Sequence, residues 1–231
     1  MYGLYMIASL VLLGLSFFLQ WKLKNVFQKY SNIATVGGMT GAEVAARMLH
    51  DNGINDVKIQ SVNGTLSDHY NPTDKTVNLS PEVFNGNSVT AAAIAAHECG
   101  HAVQHASAYA MLNLRSGIVP IVQVSSQWSP WIIMGGMLLA RFAGGVGFVV
   151  LAIGVALFAI TTVFSLITLP VEFDASNRAL VWLRTNNVTG LEHSKSQEIL
   201  KWAAMTYVVA AVASIVNLMY YIMILFGRRR D

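Results

Sequence analysis

The first twenty residues, Met1 to Gln20, contain no charged side chain, and no other feature constrains the fold of this chain so strongly. At about 1.5 Å per helical residue the run reaches across a ~30 Å hydrocarbon core, where a helix can satisfy its own backbone polar groups. A cleaved signal peptide carries its basic residues ahead of the apolar stretch. Here Lys22, Lys24 and Lys29 come after it. The expectation is a retained membrane anchor over residues 1–21.

After Arg115 the chain turns apolar again and stays so to Leu169. That is too long for one span, so residues 118–169 are read as a hairpin of two, roughly Ile118 to Ala140 and Gly144 to Leu169, with Arg141 near the tip. Pro120 and Pro130 make the first of these kinked or late-starting, and Pro170 is expected to end the hairpin. A fourth span is expected within residues 202–227, with Trp202, Tyr207, Tyr220 and Tyr221 as interfacial aromatics. The composition agrees: 54% of the 231 residues are hydrophobic and 12% charged, against roughly a quarter charged in soluble domains. Part of the net charge of +3 comes from Arg228-Arg229-Arg230. No basic face with interleaved aromatics accompanies that cluster, so it reads as a membrane flank rather than a nucleic-acid surface. With Cys99 as the only cysteine, no intrachain disulfide can form.

Between the apolar runs, residues 22–117 have the composition of a small α+β domain. Gly41 to Asp51 shows helical periodicity closed by Asn52-Gly53, and Asp56 to Val62 alternates as a strand does. Asn63-Gly64 and Asn71-Pro72-Thr73-Asp74 are turn signals, which leave His69 in a loop and Lys75 to Leu79 as a second strand. Ser80-Pro81-Glu82 starts a helix with Pro at its first position. Ser88 then opens an alanine-rich helix carrying His97-Glu98-Cys99-Gly100-His101.

In that motif two histidines four residues apart stack on one helix face within reach of one metal ion, and Glu98 can take a proton from an activated water without being a ligand. This is the pattern of zinc-dependent peptide hydrolysis. A catalytic zinc needs a third protein ligand and an open fourth position. His105 continues the series, but one turn further up a straight helix it is too far from an ion held by the first pair. His69 lies upstream. Glu172 follows the hairpin in residues 170–201, and a hairpin returns the chain to the side it left, so Glu172 is the favoured third ligand beside His97 and His101. Asp174 and Ser176 are candidates to orient a ligating histidine. Cys99 is read as a small core residue.

Asp68-His69-Tyr70-Asn71-Pro72, Val77-Asn78-Leu79-Ser80 and Ala95-Ala96-His97-Glu98-Cys99-Gly100-His101-Ala102-Val103-Gln104 closely resemble the YugP-like neutral zinc metallopeptidases of bacterial membranes. Thr40 to Ala45 and Glu172 to Ser176 resemble that family too. The resemblance covers most of the chain. It implies a membrane-bound zinc metalloendopeptidase with one zinc per chain on His97 and His101, and Glu98 as acid/base. The plan is similar to that of HtpX-type membrane proteases, where a Glu after a membrane hairpin is the third ligand and an Asp follows four residues later; here that place is Ser176. By the same analogy Thr76 to Leu79 is the edge strand that pairs with an extended substrate.

The sequence therefore predicts a mainly α, polytopic membrane protein of about four transmembrane helices with a small α+β, zincin-like catalytic domain. Its substrate is a peptide or membrane protein, and His69 or Tyr70 steadies the oxyanion. By the positive-inside tendency the catalytic side is cytoplasmic, with the terminal arginines opposing. Two rivals are a scaffold with structural or no metal, which would have no use for Glu98, and an intramembrane protease, which places its metal motif inside a span.

Overall fold

A computed structural model of the chain describes residues 2–35, 37–186 and 190–227; the Arg228-Arg229-Arg230 cluster lies outside them. In chain order the elements are α1 (Tyr2–Ser31), α2 (Gly41–Asp51), β1 (Lys58–Ser61), β2 (His69–Asn71), β3 (Thr76–Leu79), α3 (Pro81–Phe84), α4 (Val89–Ala106), α5 (Ala110–Phe142), α6 (Gly145–Thr185) and α7 (Gly190–Gly227). Two compact units form: residues 1–17, 114–169 and 207–231 in one, residues 18–113 and 170–206 in the other.

The first unit is helical. Its α5 and α6 run antiparallel in fixed register, and glycines set how closely they approach. A Cβ on Gly147 would strike the Ala140 backbone, one on Gly136 the Leu151 backbone, and one on Gly154 the Ile133 backbone. Ile133, Leu151 and Val155 are buried there together. Two pairs of polar groups on these apolar helices meet: Thr162 Oγ1 and Ser214 Oγ lie 2.8 Å apart, and Tyr5 donates to Asn217 Oδ1 at 2.8 Å, which lowers the cost of removing them from water.

Among the described residues, three helices are long and apolar enough to cross a membrane: Gly3–Ser31, Gly145–Thr185 and Gly190–Gly227. The first arm of the expected hairpin, Ile118 to Ala140, falls in α5, which is long enough but is not one of these three. Gln123, Ser125, Ser126, Gln127 and Ser129 dilute its middle. Nor do its prolines delay it; the helix begins at Ala110 with Pro120 and Pro130 inside.

The second unit holds the sheet and α4. Its strand order is β1-β3-β2, with β1 parallel and β2 antiparallel to β3. This corrects two expectations. His69 is not in a loop but opens β2, because the Asn71 to Asp74 turn closes a hairpin: Asn71 Oδ1 accepts from Thr73 N at 2.9 Å and Asn71 Nδ2 donates to Asp74 at 2.8 Å. And β3 is not an edge: paired on both sides, every one of its residues is buried.

Local capping fixes the helix starts. Thr40 and Glu43 form a reciprocal capping box on α2, and Ser88 Oγ accepts from Ala91 N at α4, satisfying donors the helix itself cannot. Helix α4 is buried nearly all round, with Ala91, Ala92, Ala93, Ala95 and Ala96 each at most 3% exposed. Its small residues admit close neighbours: α2, the sheet, and the part of α6 beyond Leu169. That last contact explains why Pro170 does not end α6. Val171, Ala175, Ala179 and Leu183, at helical spacing, are all at most 1% exposed, and burial of that stripe outweighs the backbone hydrogen bond that proline removes.

Candidate metal centre

His97 and His101 stand one turn apart on α4, their ring centroids 4.9 Å apart and the rings edge to face. Glu172, from the turn of α6 just past Pro170, inserts between them. Its Oε2 lies 3.4 Å from His97 Nε2 and 3.7 Å from His101 Nε2. One donor atom from each residue falls within 4.8 Å of the other two. Ligands about 2.0–2.1 Å from a tetrahedral zinc are separated by about 3.4 Å, so this donor set of two imidazoles and a carboxylate fits that ion. The carboxylate is 4% exposed, and a buried charge needs a partner of this kind.

The approach of the two helices depends on Gly100. A Cβ there would stand 2.5 Å from the Ala175 carbonyl oxygen. Each imidazole is also held from behind: Ser176 Oγ lies 3.1 Å from His97 Nδ1, and Gln104 Oε1 lies 3.0 Å from His101 Nδ1. Asp174 meets Gln104 Nε2 at 2.8 Å rather than a histidine. Gln104, wholly buried, carries no site role in the sequence reading; its signals are its place one turn past Gly100 on the motif helix and at the end of the run that resembles the family.

A family model described as "Putative neutral zinc metallopeptidase" matches residues 5–226. The chain belongs to this zinc metallopeptidase family. It is 41% identical over 229 residues to a Bacillus subtilis (strain 168) protein named "Putative membrane protease YugP", covering 99% of each chain. No solved structure matches it. The family and the three apolar helices make it a membrane protein.

Beyond the three residues of the cluster, the other candidate site residues differ in what they can reach. Glu98 is 8% exposed, and among the described residues no hydrogen bond or ion pair engages its carboxylate. Burial alone would lower the His101 pKa, but its bond to Glu172 and the Glu98 and Glu172 charges outweigh that and hold it above its ordinary value. Tyr70 sits opposite Val77, a core residue of β3, on the sheet face turned to α4, and its hydroxyl lies 2.7 Å from His105 Nδ1. Burial first, then the Asp56 charge, raises the Tyr70 pKa, so the phenol keeps its proton at neutral pH.

His69 is not brought to the cluster. Strand alternation turns it to the opposite sheet face, where it pairs with Asn78, and its Nδ1 lies 2.7 Å from the Ser67 carbonyl. Asp68 is committed to the start of α3, accepting from Ser80 N at 2.7 Å. Cys99 is fully buried with Sγ 3.6 Å from the Ala45 carbonyl, and burial, with the Glu98 charge adding, pushes its thiol well above the ordinary range. That places it as a core residue, as its neighbours in the buried cluster are.

Proposed function

We propose that this chain is a multi-pass membrane metalloendopeptidase that hydrolyses peptide bonds with zinc held by His97, His101 and Glu172 and with Glu98 as general base. The observation that carries the reading is Glu172, delivered from the far side of a long apolar hairpin to a point between two histidines of an HExxH helix. Bound there, zinc would supply Lewis acidity, lowering the pKa of a water from about 15.7 toward ~7 and polarising the scissile carbonyl.

The chain's own residues do the rest. Glu98 follows His97 directly, and with no competing hydrogen bond among the described residues its carboxylate can take the water's proton and pass it to the leaving amine. The Tyr70 hydroxyl, protonated at neutral pH, is the donor for negative charge developing on the carbonyl oxygen. The unpaired edge of β2, which packs on α4 through Tyr70 and His105, accepts an extended substrate backbone as an added strand. This role moves from β3 to β2, because β3 has no free edge. An extended chain passing along β2 suits cleavage within a polypeptide.

In the membrane, α5 crosses beside α6 and brings the number of spans to four, supported by their glycine-spaced antiparallel packing. Lys22, Lys24, Lys29, Arg178, Arg184, Lys195 and Lys201 flank the spans on the catalytic side, which supports a cytoplasmic orientation.

Glu98→Gln tests the reading, with zinc content and peptidase activity measured together on detergent-purified protein. About one zinc per chain and a loss of at least about 10²-fold in kcat are expected. Full activity with zinc bound would sink the mechanism. An inactive wild type that binds no zinc even after reconstitution would leave the scaffold reading.

A further inference from the structure

Gln104 lies wholly inside the protein, where an amide is tolerated only with its hydrogen bonds made. Its Nε2 lies 2.8 Å from the Val171 carbonyl oxygen and 2.8 Å from Asp174 Oδ2. The Val171 carbonyl can only accept, and Asp174 Oδ2 accepts from Arg178 Nε at 2.6 Å as well. Turning the amide over would set Oε1 against two oxygens with no proton between them. The amide orientation is thus dictated by α6.

Its other end then has one possible role. Oε1 accepts, so the His101 Nδ1 it faces at 3.0 Å must carry the proton. In the neutral imidazole that leaves the lone pair on Nε2, the atom facing Glu172. His97 is not restricted in this way, because the Ser176 hydroxyl at its Nδ1 can donate or accept.

We propose that Gln104 is a positioning residue that sets the tautomer of His101, and that it does so only when the turn of α6 bearing Glu172 is docked. Val171 and Asp174, which orient the amide, flank Glu172 in sequence. One side chain therefore ties readiness of the second ligand to arrival of the third. The proposal rests on the reading of His97, His101 and Glu172 as zinc ligands, but the tautomer can be observed without zinc.

The test uses the full chain in detergent, labelled with nitrogen-15 histidine, metal-free and at a pH where imidazoles are neutral; loss of a resonance in His101→Gln assigns the site. The expected result is His101 protonated at Nδ1. Gln104→Met, close in shape but unable to accept from His101, should give mixed tautomers and bind zinc about 10–100-fold more weakly. Ser176→Ala should leave the His101 tautomer unchanged. Finding His101 protonated at Nε2 in the wild type overturns the proposal even if the Met variant fails to fold. Wild-type tautomer and zinc affinity in Gln104→Met would overturn it too. A wild type with the expected tautomer but no zinc binding would instead remove the peptidase reading and leave the tautomer assignment standing.

Discussion

Gly100 and Ala175 meet backbone to backbone: a Cβ on Gly100 would stand 2.5 Å from the Ala175 carbonyl oxygen and 3.1 Å from its Cα. The first residue sits between the two motif histidines and the second lies three positions past Glu172. The separation of α4 and α6 at the metal centre is therefore set by a missing side chain.

Replacing that hydrogen with a methyl cannot be absorbed by a rotamer change, because the obstructing atoms are backbone. Gly100→Ala is expected to push the α6 turn away, to cost about 1–3 kcal/mol of stability, and to weaken zinc binding. Thermal unfolding and zinc content of the purified variant check this; wild-type values for both would show that the two helices separate at no cost.

Metal and fold should be linked through Glu172. Zinc at about 100 times its Kd stabilises a folded protein by about 2.7 kcal/mol if it does not bind the unfolded chain. Chelation should lower the unfolding midpoint of the wild type and zinc should restore it. Glu172→Ala should show no such shift. A full zinc response in that variant would move the third ligand elsewhere.

Tyr70 and His69 are neighbours in sequence on opposite faces of β2, so their variants should part company. Tyr70→Phe is expected to reduce kcat by about 10²-fold, the scale of a lost oxyanion donor, with KM little changed. His69→Ala should stay near wild type. The reverse pattern would assign the donor to His69 and require β2 to present its other face.

The capping box of α2 carries a pH dependence. The Thr40 backbone N–H at 2.7 Å, then its hydroxyl at 3.1 Å, donate to Glu43 Oε2 and hold its carboxyl below the ordinary value. A lowered folded-state pKa means that the contribution is present above the ordinary carboxylate range and is lost as pH falls through the lowered one. Thr40→Ala should destabilise the protein by about 1 kcal/mol at neutral pH and flatten this part of the acid dependence. Parallel acid profiles for the two proteins would show that the cap does not hold in solution.

Much of the secondary structure was legible because its causes are local. Gly41 to Asp51 carries its own cap and periodicity, Ser88 announces α4, and the apolar runs match α1, α6 and α7 by length and composition. The pairing of His97 with His101 is likewise a property of helix pitch. Elements whose stability comes from elsewhere were not legible. Three residues of β2 hold no strand signal of their own and exist because β3 lies beside them. Pro170 reads as a stop, and only burial of Val171, Ala175 and Ala179 carries α6 through it.

The sequence by itself therefore determined membrane residence, the motif helix and its two stacked histidines, since side-chain chemistry and backbone period suffice for these. Tertiary structure alone decided that β2 rather than β3 offers an open edge, that Tyr70 and not His69 faces α4, and that Gln104 links His101 to the turn bearing Glu172. Each of these is a contact between segments distant in the chain, set by which surfaces pack together, and no local pattern encodes that.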